Sequence, residues 1–238
     1  MDKKEFDALI CEAVNDAELQ SSEIPAIDLY VDQIINLHTE KLRDGSERFA
    51  DRQLTKTMIN NYAKDRVITP VKGKKYTKEQ IVQILMVYTL KNTLSIGEIK
   101  RVLDGAYSIE GFDGEALTAL YDKYYSTKAL NREYAAQIIE QMLQKNSLDI
   151  ENDEDFLVAV GSIAAMSSFM KNIAQAMIDA KYPPLSEEEE EKKEKDKEKD
   201  KEKDKEKDKD KDKDKDKKEK KEKKKKKPEE KAEDETQK

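Results

Sequence analysis

Residues 187–238 carry 24 Lys against 24 Asp and Glu, with almost no apolar side chain. A segment that cannot bury apolar surface cannot offset the entropy lost in ordering it. This tail is therefore expected to be disordered, and only about residues 1–185 can fold. Lys alternates from 193 to 217, which places like charges at i,i+4 and works against an isolated helix. Two roles stay open for the tail. It is a solubilising coil, or a weak electrostatic tether to a polyanion through its late KKEKKEKKKKKP run.

Because the tail's charges cancel, the net charge of −7 sits on the foldable part. Within residues 52–78, Arg52, Lys56, Lys64, Arg66, Lys72, Lys74, Lys75 and Lys78 stand against Asp65 alone, a local +7. The rest of the foldable part then sums to −14. A basic island on an acidic body is the electrostatic footprint of an anion site, and double-stranded DNA is the partner expected for it.

One Cys (Cys11) and one His (His38) exclude a disulfide framework and a Cys/His zinc site within one chain. Cys11 reads as a small buried or semi-exposed apolar residue, because no basic neighbour activates it. His38 lies in an apolar-patterned helix and reads as structural or surface. With no phosphate-binding Gly motif and no recognisable nucleophile–base pair, neither an enzyme nor a cofactor is expected. The N-terminal MDKKEFDALICEAV is a charged amphipathic segment rather than a signal peptide. The most apolar run, residues 156–170, is short for a bilayer span. A soluble, cytoplasmic protein with no membrane partner is expected.

Seven Gly, five Pro and few alternating apolar runs predict a mostly α fold. Periodicity predicts a first helix over 2–19, a break at Pro25, and a helix over 28–42 with Ile27, Val31, Ile34, Ile35, Leu37 and Leu42 on its apolar side. RDGSERFAD (43–51) reads as a loop. Thr77 with Gln80 and Ser95 with Glu98 form two capping boxes, opening helices to about 92 and 103. The segment IVQILMVYTL between them should be the core. GAYSIEGFDG (105–114), with three glycines, reads as a linker. Three further helices follow, over 115–125, 130–145 and 153–181, and Pro183 and Pro184 stop the last. In it, Phe156, Val160, Ile163, Met170, Ile173 and Met177 have helical spacing and read as core or dimer interface. Gly161, Ala164, Ala165 and Ser168 would let another helix approach closely. The organisation expected is an N-terminal helix (1–22), a DNA-binding domain (24–107), a helical dimerisation or effector region (113–185) and the tail (187–238).

Residues 54–64 predict a short helix capped by Thr55 or Thr57. Met58, Ile59 and Tyr62 would pack inward, and Lys56, Asn60, Asn61 and Lys64 would face outward. RVITP leaves the helix at Pro70, and VKGKKYT makes a Gly-centred turn bearing Lys72, Lys74 and Lys75. Preceded by the helix over 28–42, this is a winged helix-turn-helix plan. Asn can pair with adenine edges, Lys and Arg neutralise phosphates or read guanine, and Thr hydroxyls add phosphate contacts. The expected DNA-binding set is Lys56, Thr57, Asn60, Asn61, Lys64, Arg66, Lys72, Lys74, Lys75 and Tyr76.

YAKDRVITP (62–70), KKY (74–76) and LSIGEIKRVL (94–103) resemble the DNA-binding domain of MerR-type regulators. Tyr62, Val67, Ile68, Pro70, Lys74, Tyr76, Ser95, Ile96 and Ile99 fall, in order, on that family's pattern. The pattern runs from recognition-helix aromatic through apolar pair, proline and wing to the helix signature. IPAIDLYVDQI, LTKTMINNY and KKYTKEQI more closely resemble a family of uncharacterised proteins from Gram-positive bacteria, a domain of unknown function. Together these resemblances cover about residues 24–105. Asn60-Asn61 stand where Arg-Tyr is usual, Arg66 where Gly is common and Lys74 where the wing has Arg. The resemblance therefore implies phosphate binding and no inherited base preference. The cysteines of the metal-responsive branch are absent, so metal sensing is not implied.

The function expected is a sequence-specific DNA-binding transcriptional regulator acting as a homodimer, with an effector that the sequence does not identify. The alternative is a protein-interaction adaptor that reuses a MerR-like fold without binding DNA; a small-molecule-binding helical domain is a third reading.

Overall fold

A helix that is apolar on most sides cannot lie on a surface, so KEQIVQILMVYTL (α4, Lys78–Leu90) must sit at the centre. In the computed structural model, which describes residues 2–71 and 73–184, all eight residues from Gln80 to Val87 are buried. Six other α-helices occur among the described residues: α1 (Lys3–Ala13), α2 (Val31–Leu42), α3 (Lys56–Lys64), α5 (Ile96–Tyr107), α6 (Gly114–Lys145) and α7 (Asp153–Lys181). The mostly α expectation holds. The two-residue strands β1 (Leu29–Tyr30) and β2 (Lys75–Tyr76) pair antiparallel, Leu29 opposite Tyr76 and Tyr30 opposite Lys75. Side chains alternate across a strand, so Leu29 and Tyr76 enter the core while Tyr30 and Lys75 stay outside.

The capping boxes at Thr77 and Ser95 form as expected. Other boundaries differ, each for a local reason. The first helix ends at Ala13, and residues 14–18 run as a strap over the loop after α2. There the Ser46 amide donates to the Asn15 carbonyl at 2.9 Å. A Cβ on Gly45 would lie 2.9 Å from backbone atoms of Asn15 and Ala17. The 43–51 segment is not an open loop: a 3-10 turn at Glu47–Phe49 buries Phe49. The glycine-rich stretch is not a free linker either. Gly105 is inside α5, where a Cβ would collide with the Tyr182 ring, and Phe112 packs edge-on to Tyr107 at 5.3 Å.

The break expected between 125 and 130 is absent, and α6 runs for 32 residues. Ser126 and Thr127 donate to the carbonyls of Asp122 and Lys123, both at 2.9 Å, so their hydroxyls are satisfied inside the helix. Lys128 and Arg132 then pair with Asp16 of the strap, and Lys128 also with Glu18 at 2.7 Å.

The core crosses the expected domain boundaries. It runs from Leu19 and Ile24 through α4 to Leu117 and Tyr121 of α6, and the Tyr121 hydroxyl donates to the Leu19 carbonyl at 2.6 Å. The described chain up to Pro183 is one compact unit. The tail expected over 187–238 lies outside the described residues.

Helix α7 buries only Ala159 and Ile178. Its last turns dock on α5: Arg101 donates to Asp179 at 2.8 Å and to the Tyr182 carbonyl at 2.6 Å, and Gln175 donates to Glu98 at 2.7 Å. By length and composition it is the one helix among the described residues that could cross a membrane, being longer than the 156–170 run suggested.

Leu117 is fully buried beyond the 24–107 boundary. Leu117→Ala should therefore cost about 2–5 kcal/mol of stability, read as a lower urea midpoint with an unchanged slope.

Candidate nucleic-acid interface

The short helix α3 is built as its residue order dictates. Thr55, rather than Thr57, is the N-cap, accepting from the Met58 amide at 3.2 Å. Ile59 and Tyr62 are buried, and burial pushes the Tyr62 phenol up to about 12. Lys56, Thr57, Asn60, Asn61 and Lys64 are all exposed. The helix stops at Arg66, whose φ of 55° is left-handed, a conformation that favours glycine. The Val67 amide then closes back on the Tyr62 carbonyl at 2.9 Å. Val67 and Ile68 turn into the core, while the Lys100 ammonium donates to the Arg66 carbonyl.

The exit from α3 is pinned by two buried glutamines of α4. Gln83 accepts from the Thr69 amide at 2.8 Å and from its hydroxyl at 3.1 Å. Gln80 donates to the Thr69 and Pro70 carbonyls at 3.2 and 3.0 Å. Gln83 also donates to the Tyr107 hydroxyl at 2.5 Å, which donates to Glu79 at 2.7 Å. After this anchor comes the turn at Gly73, with φ of 87°, and then β2.

Lys74 and Lys75 are exposed on that turn and strand, and Arg66 is exposed before it. Lys72 lies outside the described residues. Tyr76 differs from the other expected contacts: it is 7% exposed and packs in the core, because the strand pairing turns it inward opposite Leu29. The outward aromatic is Tyr30, 48% exposed, with the Lys75 ammonium 5.1 Å from its ring centroid. Helical periodicity over 28–42 does not single out Tyr30, because it treats the β1 residues as helix. Gln80 and Gln83 are likewise absent from the expected set as anchors, although polar residues inside an apolar run are the available signal.

Charge pairing divides the cations. Lys41, Lys100, Arg101, Lys128 and Arg132 each pair with a carboxylate. Lys56, Lys64 and Lys74 pair with none among the described residues. Uncompensated ammonium groups of this kind are available to an external anion. No group of His, Cys, Asp and Glu among the described residues could hold a metal ion.

Two other residues singled out by sequence lie elsewhere. Cys11 is exposed, not buried or semi-exposed. His38 is buried, its ring 4.6 Å from that of Tyr88 in an edge contact.

A helical domain with an outward polar helix and a pinned basic turn is the class of architecture these observations define. Residues 19–124 match the family model described as Domain of unknown function (DUF1836), and this part of the chain is similar to that family. The matched span coincides with the core, from Leu19 to Tyr124 packed against its edge. No curated protein and no solved structure matches the chain.

Burial chiefly, then the charge of Lys91, holds His38 down to about 4, from an ordinary 6.5. The unfolded chain takes up the proton first as pH falls. Stability is therefore complete above pH 6.5 and declines toward pH 4, by about 3 kcal/mol for this residue. Urea unfolding across that window should show the decline, and His38→Leu should flatten that component of it.

Proposed function

We propose that the chain is a sequence-specific DNA-binding transcriptional regulator with a MerR-like winged helix-turn-helix domain, acting as a homodimer in the cytoplasm. The observation that carries this reading is the exposed Lys and Asn face of α3, followed directly by a basic turn whose base is anchored to the core. In this reading α2 and α3 are the helix-turn-helix pair, with a longer connection than the usual three or four residues. Residues 73–76 are the wing. Asn60 and Asn61 read base edges from α3, while Lys56, Thr57, Lys64, Arg66, Lys74 and Lys75 meet phosphates. Lys72 joins this set by sequence position. Tyr30 replaces Tyr76 as the aromatic beside the backbone. The acidic remainder repels DNA and turns the basic surface toward it.

The adaptor reading draws on the same −14 remainder and on the Asn60-Asn61 departure. The two are separated by a gel shift of the purified protein on DNA from upstream of its own gene at low salt. The regulator reading expects retardation; its absence there favours the adaptor.

Lys74→Glu with Lys75→Glu should weaken binding to all sequences. It should also flatten the salt dependence, by about 0.9 in the log–log slope for each phosphate no longer neutralised. Asn60→Ala or Asn61→Ala should leave the slope in place and relax base preference, read by selection from random DNA. An unchanged slope in the double Glu variant removes the wing from the interface.

A further inference from the structure

The segment that carries the basic turn is tied at Thr69 to a run of hydrogen bonds with a fixed direction. It starts at the Thr69 amide, which can only donate, and reaches the Gln83 side-chain oxygen at 2.8 Å. The Gln83 side-chain nitrogen donates to the Tyr107 hydroxyl at 2.5 Å, and that hydroxyl donates to Glu79 Oε1 at 2.7 Å. The run ends there, on an ionised carboxylate that can only accept. Reversing any member would set two donors or two acceptors against each other, and a buried group so placed loses its bond. The two ends therefore dictate which way the Gln83 amide and the Tyr107 hydroxyl point.

The far end is itself seated. Glu79 lies in the first turn of α4. Its other oxygen rests against the start of α6, where a Cβ on Gly114 would be 2.8 Å from Oε2. A helix N-terminus favours a carboxylate beside it. Burial first, and then the bond to Glu79, push the Tyr107 phenol above its ordinary range, so it keeps the proton that it donates. Filling space does not account for this arrangement. Gln83 is 1% exposed, and an apolar side chain there would need neither Tyr107 nor Glu79 to complete it.

We propose that Glu79 and Tyr107 are positioning residues for the basic turn: acting through Gln83, they fix the backbone of Thr69 and so the base from which residues 73–76 rise. The inference deepens the DNA-binding reading above and rests on it for what the turn meets. The hydrogen-bond run itself is a property of the free protein and can be tested without DNA.

The test is amide hydrogen exchange on the full isotope-labelled chain, read by nuclear magnetic resonance. Thr69 reports the base of the turn, and Leu85, buried in the middle of α4, reports global opening. Tyr107→Phe should speed exchange at Thr69 by roughly three- to tenfold relative to Leu85, the contribution of one hydrogen bond. Glu79→Met keeps the side-chain length but offers only a weak acceptor, and should do the same. Glu79→Gln should stay near the wild-type rate, because its amide oxygen can still accept from Tyr107. In a gel shift, Tyr107→Phe and Glu79→Met should weaken retardation by a like factor, and Glu79→Gln should not. Exchange at Thr69 that is unchanged in Tyr107→Phe overturns the proposal, as does exchange that rises in step at Thr69 and Leu85. A Glu79→Gln variant that behaves as Glu79→Met overturns it too, as does full-strength retardation by Tyr107→Phe and Glu79→Met. A chain with the expected exchange pattern that retards no DNA defeats the regulator reading alone. One that retards DNA with Thr69 unmoved in Tyr107→Phe defeats this proposal alone.

Discussion

The basic turn depends on two buried amides. A pair of two-residue strands cannot hold its own geometry in water, so the turn must be positioned from below. Gln80 and Gln83 do this by bonding the backbone of Thr69 and Pro70, where the chain leaves α3. The Gln80 side-chain oxygen also accepts from the Thr77 amide at 3.0 Å, so one side chain closes the cap of α4 and fixes the base of the turn. A buried polar group left without its partner costs about 1–3 kcal/mol. Each of these bonds therefore resists any shift of the turn relative to α4. The helix that forms the apolar centre is also the ruler against which the polar surface is set.

The distribution of charge likewise follows from which partners are within reach. The strap at residues 14–18 brings Asp16 and Glu18 against Lys128 and Arg132, and Thr89 of α4 donates to Glu18 at 2.7 Å. Acidic groups there are drawn to the cations of α6, which ties the N-terminal segment, α4 and α6 together. Lys56 and Lys64 on α3 and Lys74 on the turn have no such partners among the described residues. An exposed ion pair adds little to stability, so the uneven pairing matters for the field. It leaves Lys56, Lys64 and Lys74 with positive charge that no carboxylate among the described residues offsets.

What the sequence made legible follows from the range of the interactions involved. The capping boxes at Thr77 and Ser95, the centrality of α4, and the inward set Ile59 and Tyr62 depend on neighbours within one or two turns. Those were readable. Tyr76 was misplaced because its direction is set by pairing with Leu29, more than forty positions away, and the same pairing hid Tyr30. The continuity of α6 was missed because Ser126 and Thr127 look like a break until their hydroxyls find carbonyls one turn back. Gly105 looked like linker because only the ring of Tyr182, far along the chain, explains it.

Helices α4 and α7 show where local pattern stops informing. Both are apolar on most sides, yet one is the core and the other is exposed along most of its length. The difference lies in position along the helix: in α4 Gln80 and Gln83 sit within the buried stretch and hold a neighbouring segment, whereas in α7 the polar contacts of Gln175 and Asp179 join its last turns to α5. That end contact has a geometric consequence. Tyr182 packs on Gly105, and two residues further along the same helix Tyr107 bonds Gln83, which bonds Thr69. The frame of α7 is therefore referenced to the basic turn through one short run of packed groups.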